Sequence, residues 1–269
     1  MDTQLATWWT VLCVAAALNV ALLVASAWWL ARDKLRMPAS LYASRVVQLW
    51  LSAGYVLGCG FRSILPMVDV PRICLHDSFI SRIAVGRTVA TVAELCFAIQ
   101  WALLLREASS GKGVAARAGS LIVPIIVAAE IFSWAAVTSS NYILHAIENS
   151  LWTFAAVLGF AGFLSLRSQA TGATARFLEA AMICAAGYIA FMAIVDVPMY
   201  VTRWLTDPGG DGSLLLAEGV RTLLARCNVE PRWEAWRADV PWMTLYFTVA
   251  VWISIAITHA PRLRRQGYE

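Results

Sequence analysis

The chain has 269 residues, 60% of them apolar and 14% charged, with a mean hydropathy of +0.66. A soluble domain carries roughly 45–50% apolar and about 25% charged residues, so this composition excludes a fold that meets water on every side. The net charge of +4 does not point to nucleic acid. Lys34 and Lys112 are the only lysines, most arginines flank apolar segments, and no basic stripe with interleaved aromatics stands apart.

Crossing a ~30 Å hydrocarbon core takes about 20 apolar residues, and stretches of that kind recur seven times along the chain. The first, about 6–31, contains Ala25-Ser26-Ala27, a small-x-small pattern that suits signal cleavage. Residues 1–6 have no Lys or Arg and carry Asp2, whereas a secretory leader starts positive, so a retained helix is expected. In the second, about 44–65, Gly54, Gly58 and Arg62 repeat every four residues, and small residues at that spacing permit close helix approach. The third, about 83–105, sets Arg87, Thr91 and Glu94 on one face. A fourth, about 118–138, holds Glu130, and a short polar stretch from Ser139 to His145 separates it from the fifth, about 147–166. There His145, Glu148 and Trp152 align, with Asn149 adjacent to Glu148. Along the sixth, about 178–204, Asp196, Met199 and Arg203 align, and Pro198 frees backbone groups nearby. Asp207 to Gly212 then reads as turns, and Leu214 to Arg226 as a short amphipathic helix with Leu216, Val220, Leu223 and Leu224 on one stripe. The seventh stretch covers about 240–260.

Lys and Arg gather in alternate connections: Arg32, Lys34, Arg36 and Arg45; Arg106, Lys112 and Arg117; Arg167 and Arg176; Arg262, Arg264 and Arg265. The other short connections hold Arg72 and Arg82, balanced by Asp69 and Asp77. The basic side is expected in the cytoplasm. Trp8, Trp9, Trp28, Trp29, Trp204 and Trp242 lie near helix ends, where interfacial anchoring explains them. Cys13, Cys59, Cys96 and Cys184 fall inside apolar segments, while Cys74 and Cys227 fall in two loops on the external side, where an oxidising compartment permits a disulfide between them. The expected fold is all-α: one domain over residues 1–269, a seven-helix membrane bundle, N-terminus out and C-terminus in, with an external cap from loops 66–82 and 205–239. Abundant alanine and arginine over lysine suggest a high-GC bacterium and its inner membrane.

Ionisable groups at bilayer depth cost roughly 2.5–3.5 kcal/mol each on insertion scales, and so face the bundle interior and find partners. Arg62, Arg87, Glu94, Glu130, Glu148, Asp196 and Arg203 fall in the external halves of their helices or near the bilayer centre, joined by His145, Asn149 and Trp152. Two readings follow. Pairs such as Arg87 with Glu94, or Arg62 with Glu130, neutralise one another and fix helix register; or the set lines a pocket open to the outside. In the second reading the arginines attract an anionic group, the carboxylates hold a cationic group or a proton, and Trp134, Trp152 and Tyr188 wall the site.

Several chemistries find no support. A retinal Schiff base needs a lysine within the bundle, and Lys34 and Lys112 lie in connections. His76, His145 and His259 are too few and too scattered for paired haem ligation or histidine-rich iron chemistry. Neither G-x-S-x-G nor a G-x-x-x-x-G-K-[ST] phosphate loop occurs. Glu94, Glu130, Glu148, Asp196 and His145 are donors that suit several metals. The leading expectation is a binding or sensing protein that takes a small polar ligand or a lipid head group. A proton- or cation-coupled transporter, a metal-dependent enzyme acting on a lipid, and a structural subunit of a membrane complex are the alternatives. The expected surroundings are the bilayer, such a ligand and a membrane-protein partner, with no nucleic acid.

Overall fold

The computed structural model of the chain describes residues 1–109, 111–206, 216–225 and 227–261. The turns expected at 207–212 and the basic run at 262–265 lie outside the described residues.

Asp2 caps the first helix, α1 (Thr3–Arg32), by accepting from the Gln4 N–H, and a 3-10 turn, Asp33–Arg36, carries it on. Pro38 precedes α2 (Ala39–Ile64), which ends beside β1 (Met67–Val68) and β2 (Ile73–Cys74). Then come α3 (Ile83–Ser109), α4 (Gly113–Ser139) and α5 (Tyr142–Arg167). The turn between α4 and α5 is as tight as the sequence implies: Ser140 is left-handed, with φ 57°, and Asn141 caps α5 through the Ile143 N–H. Next, α6 spans Gly172–Thr206, followed by α7 (Leu216–Leu224), β3 (Asn228–Val229), the single turn α8 (Trp233–Trp236) and α9 (Val240–Thr258).

Six of these helices are long and apolar enough to cross a membrane: α1, α3, α4, α5, α6 and α9. The remaining long helix, α2, has 26 residues, about 39 Å at 1.5 Å per residue. Buried polar residues dilute its apolar character: Arg45, Gln48, Ser52, Arg62 and Ser63 all point inward. It packs between α1 and α3. A Cβ at Gly58 would lie 2.6 Å from that of Ala93, and one at Gly54 would lie 2.7 Å from the Cys96 sulfur. The small-residue spacing therefore marks the α2–α3 contact.

Two helices depart from α geometry. Met192–Asp196 in α6 and Tyr246–Ala250 in α9 are π-turns. In α6 the cause is Pro198, which has no N–H and whose ring crowds the carbonyl four residues earlier; widening the preceding turn relieves both. In α9 the Tyr246 and Phe247 carbonyls accept from side chains instead, Tyr246 from the Tyr55 hydroxyl (3.5 Å) and Phe247 from the Asn19 amide (2.8 Å).

A small sheet closes one end of the bundle. β1 pairs antiparallel with β2, and β2 pairs parallel with β3. Cys74 and Cys227 are disulfide-bonded across it, with Cα atoms 5.8 Å apart, inside the usual range for such a bridge. Beneath the bridge Met67, Ile83, Val137 and Leu223 form a buried cluster. Leu223 and Gly219 of α7 face inward, while Val220 and Leu224 stay exposed. Arg72, held at φ 69°, donates to the Val137 carbonyl at 2.8 Å and ties the sheet to the end of α4.

Candidate functional site

Just below the sheet, α2, α3, α4, α5 and α6 send ionisable side chains toward one another. Arg87 on α3 is the hub. Its Nη2 lies 2.8 Å from Glu94 and 3.1 Å from Glu130, and its Nη1 lies 3.7 Å from Glu148 and 3.6 Å from Asp69. The i, i+4, i+7 stripe on α3 works as a unit: the Thr91 hydroxyl donates to Glu130 at 2.6 Å and accepts from the Trp134 indole at 3.1 Å. Arg62 on α2 donates to the Met67 carbonyl at 2.8 Å and to Gly86 at 3.5 Å, and lies 3.7 Å from Asp69. Of the two pairings foreseen, Arg87 meets Glu94, while Arg62 meets Asp69 rather than Glu130.

On α5, His145 Nδ1 is 2.7 Å from Glu148 Oε2, and the imidazole packs against the Tyr200 ring at 5.1 Å. Asn149, one residue on, donates to Asp196 at 2.8 Å. Asp196 is buried, and among the described residues no Lys, Arg or His reaches ion-pair distance of it. The π-turn delivers this carboxylate inward, in keeping with the functional use of such turns.

These groups surround a hollow of about 90 Å³ lined by Arg62, Asp69, Arg87, Glu94, His145, Glu148, Asn149 and Asp196, with Tyr55, Tyr200 and Tyr246 among its walls. Glu130 stands behind Arg87, and among the described residues its Oε1 accepts no hydrogen bond. Arg203 sits apart, clamped to Asp239 at 2.8 and 3.2 Å, with the Trp242 indole on the same carboxylate. Trp152 walls the apolar hollow below, and so does Tyr188. Trp134 supports Thr91 and lines neither hollow.

Five carboxylates therefore meet two arginines and one histidine. Both guanidinium groups already face protein acceptors, and carboxyl groups outnumber them five to two. Glu94 is its most open acid, with 26% of its side chain exposed against 6–8% for Asp69, Glu130 and Glu148. Buried Asp69 Oδ1 also accepts no hydrogen bond among the described residues.

Three carboxylates, of Glu94, Glu130 and Glu148, bring one oxygen each within 4.8 Å of one another. Carboxylate oxygens suit hard cations, but the Arg87 guanidinium already sits against all three.

Asp69 and Asp239 escape a helix-by-helix reading, because each lies outside the apolar stretches and its partner is brought to it by the fold. The one sequence signal was Asp69 beside a sharp loop carrying Pro66 and Pro71. No protein-family model, no curated protein and no solved structure matches the chain.

Proposed function

We propose that this is an integral membrane binding or sensing protein, and that its charged hollow takes the positively charged part of a small polar ligand or lipid head group. With α2 included, the bundle crosses the bilayer seven times, the sheet end faces outside, and the basic connections face the cytoplasm. The Cys74–Cys227 bridge supports that direction, since an oxidising compartment keeps such bonds. The inner membrane of a bacterium fits the composition.

The observation that carries the reading is a hollow of about 90 Å³ walled by charge from four helices and a loop, in which Asp196 has no cationic partner at ion-pair distance among the described residues and Glu94 is open. Buried charges are stable when paired. A protein that used these groups only to fix helix register would close the space around matched pairs. Here Arg62 and Arg87 already face protein acceptors, Arg62 with its Nε alone left over, and carboxyl groups outnumber them, so the complement is a cation. The anionic ligand that Arg62, Arg87 and Arg203 would attract from the sequence alone is disfavoured by the same geometry.

Thermal unfolding of the purified protein with added methylammonium, tetramethylammonium or phosphate tests the reading. The cations are expected to raise the melting temperature in wild type and not in Glu94→Gln or Asp196→Asn. Stabilisation by phosphate alone, or equal shifts in the variants, would overturn it.

A second reading rests on the Glu94, Glu130 and Glu148 oxygens: a metal-dependent enzyme acting on a lipid. It requires Arg87 to swing away from its carboxylates. Elemental analysis of the purified protein separates the two, because this reading demands stoichiometric metal.

A further inference from the structure

Beneath the charged hollow, toward the basic end of the bundle, lies a second and larger one of about 440 Å³. Its walls are apolar, among them Phe97, Trp101, Ile126, Trp152, Phe163 and Ile253. The two hollows share wall residues: Tyr55, Glu94, Glu148, Asn149 and Tyr246 line both. Buried Gly159 on α5 and exposed Gly187 on α6 also line the larger one, and a Cβ on either would meet nothing within 4 Å. Core packing leaves few voids larger than a water molecule, so an apolar space of this size has room for a ligand.

It also has a side entrance. α6 packs against α5, whereas α9 packs against α1 and α2. The hollow runs between α6 and α9, where Cys184 and Gly187 on one side and Leu245 and Val249 on the other are exposed. What bridges this gap is a pair of side chains: the Tyr188 and Tyr246 rings, 6.3 Å apart, and the Tyr246 hydroxyl donating to the Met192 sulfur at 3.4 Å. Both helices carry their π-turns at this level.

Resting on the cationic-ligand reading above, the geometry points to an amphiphilic amine as the ligand: a single hydrocarbon chain held in the apolar hollow, its ammonium head against Glu94 and Asp196. Charge decides the head, because Glu94 and Glu148 line both hollows and Asp196 lines the charged one just above. Volume decides the tail. The space is about three times the ~150 Å³ that holds one benzene ring, room for one chain of roughly a dozen to eighteen carbons. Direction agrees as well. A lipid of the leaflet on the sheet side already points its head toward the sheet and its tail toward mid-bilayer, so it slides in between α6 and α9 without turning over.

Native mass spectrometry of the protein released from nanodiscs, after exposure to dodecylamine or dodecanol, tests this. One dodecylamine is expected to bind per chain, at least tenfold more tightly than dodecanol. Glu94→Gln should remove that preference. Gly159→Leu and Gly187→Leu, which fill the chain's space, should weaken dodecylamine at least tenfold while leaving the methylammonium shift in melting temperature unchanged. If dodecylamine binds no better than methylammonium, or both glycine variants bind it normally, the amphiphile is wrong and the charged hollow still takes a small cation. If neither amine binds, the cationic reading falls with it.

Discussion

Two buried polar groups share α2, and they have opposite characters. Toward the basic end, the Gln100 amide donates to the Gln48 carbonyl (3.0 Å) and the Ser254 carbonyl (3.2 Å). The Ser254 hydroxyl lies 2.6 Å from Gln100 Oε1 and 3.1 Å from Ser52. These groups are neutral, and none lines either hollow. Toward the sheet end, Arg62 joins the cluster around Arg87, where charges outnumber their partners and space remains. Burial of polar side chains is common to both, so burial does not mark a site. What separates them is unmatched charge beside open volume. The amide group is a neutral joint between α2, α3 and α9; the carboxylate group borders a hollow and is the proposed site.

Removing Arg87 should break this contrast hardest. Arg87→Ala leaves Asp69, Glu94, Glu130 and Glu148 around an empty position, and stripping one partner from a buried charge group costs about 3–5 kcal/mol. Denaturant or thermal unfolding in detergent measures it. Glu94→Gln in the same background is expected to recover part of the loss, because it removes one of the stranded charges.

The disulfide comes next. It ties the sheet over the charged end alone, so Cys74→Ala with Cys227→Ala should cost about 2–4 kcal/mol. Reductant should lower the melting temperature of wild type and leave the double variant unmoved. The amide joint is expected to be a weaker element. Gln100→Leu removes the shorter of the two hydrogen bonds of the Ser254 hydroxyl, leaving it Ser52 at 3.1 Å, and should cost about 1–3 kcal/mol, with cation binding at the other end unchanged. A change in binding would mean the two groups are coupled. Smallest of all, Gly159→Ala should stabilise by about 0.5–1 kcal/mol, since a helix gains by losing a glycine and the new methyl group meets open space.

Helix positions were legible because apolar length is a local property: the stretch about 83–105 became Ile83–Ser109, and the stretch about 240–260 became Val240–Thr258. The Cys74–Cys227 bridge was legible by elimination, once the other cysteines fell inside apolar segments. The Arg87, Thr91 and Glu94 stripe was legible from spacing within one helix. Partners across helices were not. Arg62 with Asp69, and Arg203 with Asp239, depend on where loops fold back, and loop geometry leaves no periodic trace. The inward face of α2 could have been found from the same spacing rule, since Gln48, Ser52, Tyr55, Cys59 and Arg62 continue one stripe. The apolar hollow could not, because it is made by what Gly159 and Gly187 lack.

A density map of the protein purified from its own membrane addresses the central claim most directly. An elongated feature is expected to cross from the apolar hollow into the charged one, ending within about 3.2 Å, hydrogen-bond reach, of Glu94 or Asp196. Side chains closed over both spaces, with Asp196 against a protein cation and nothing bound between, would contradict it.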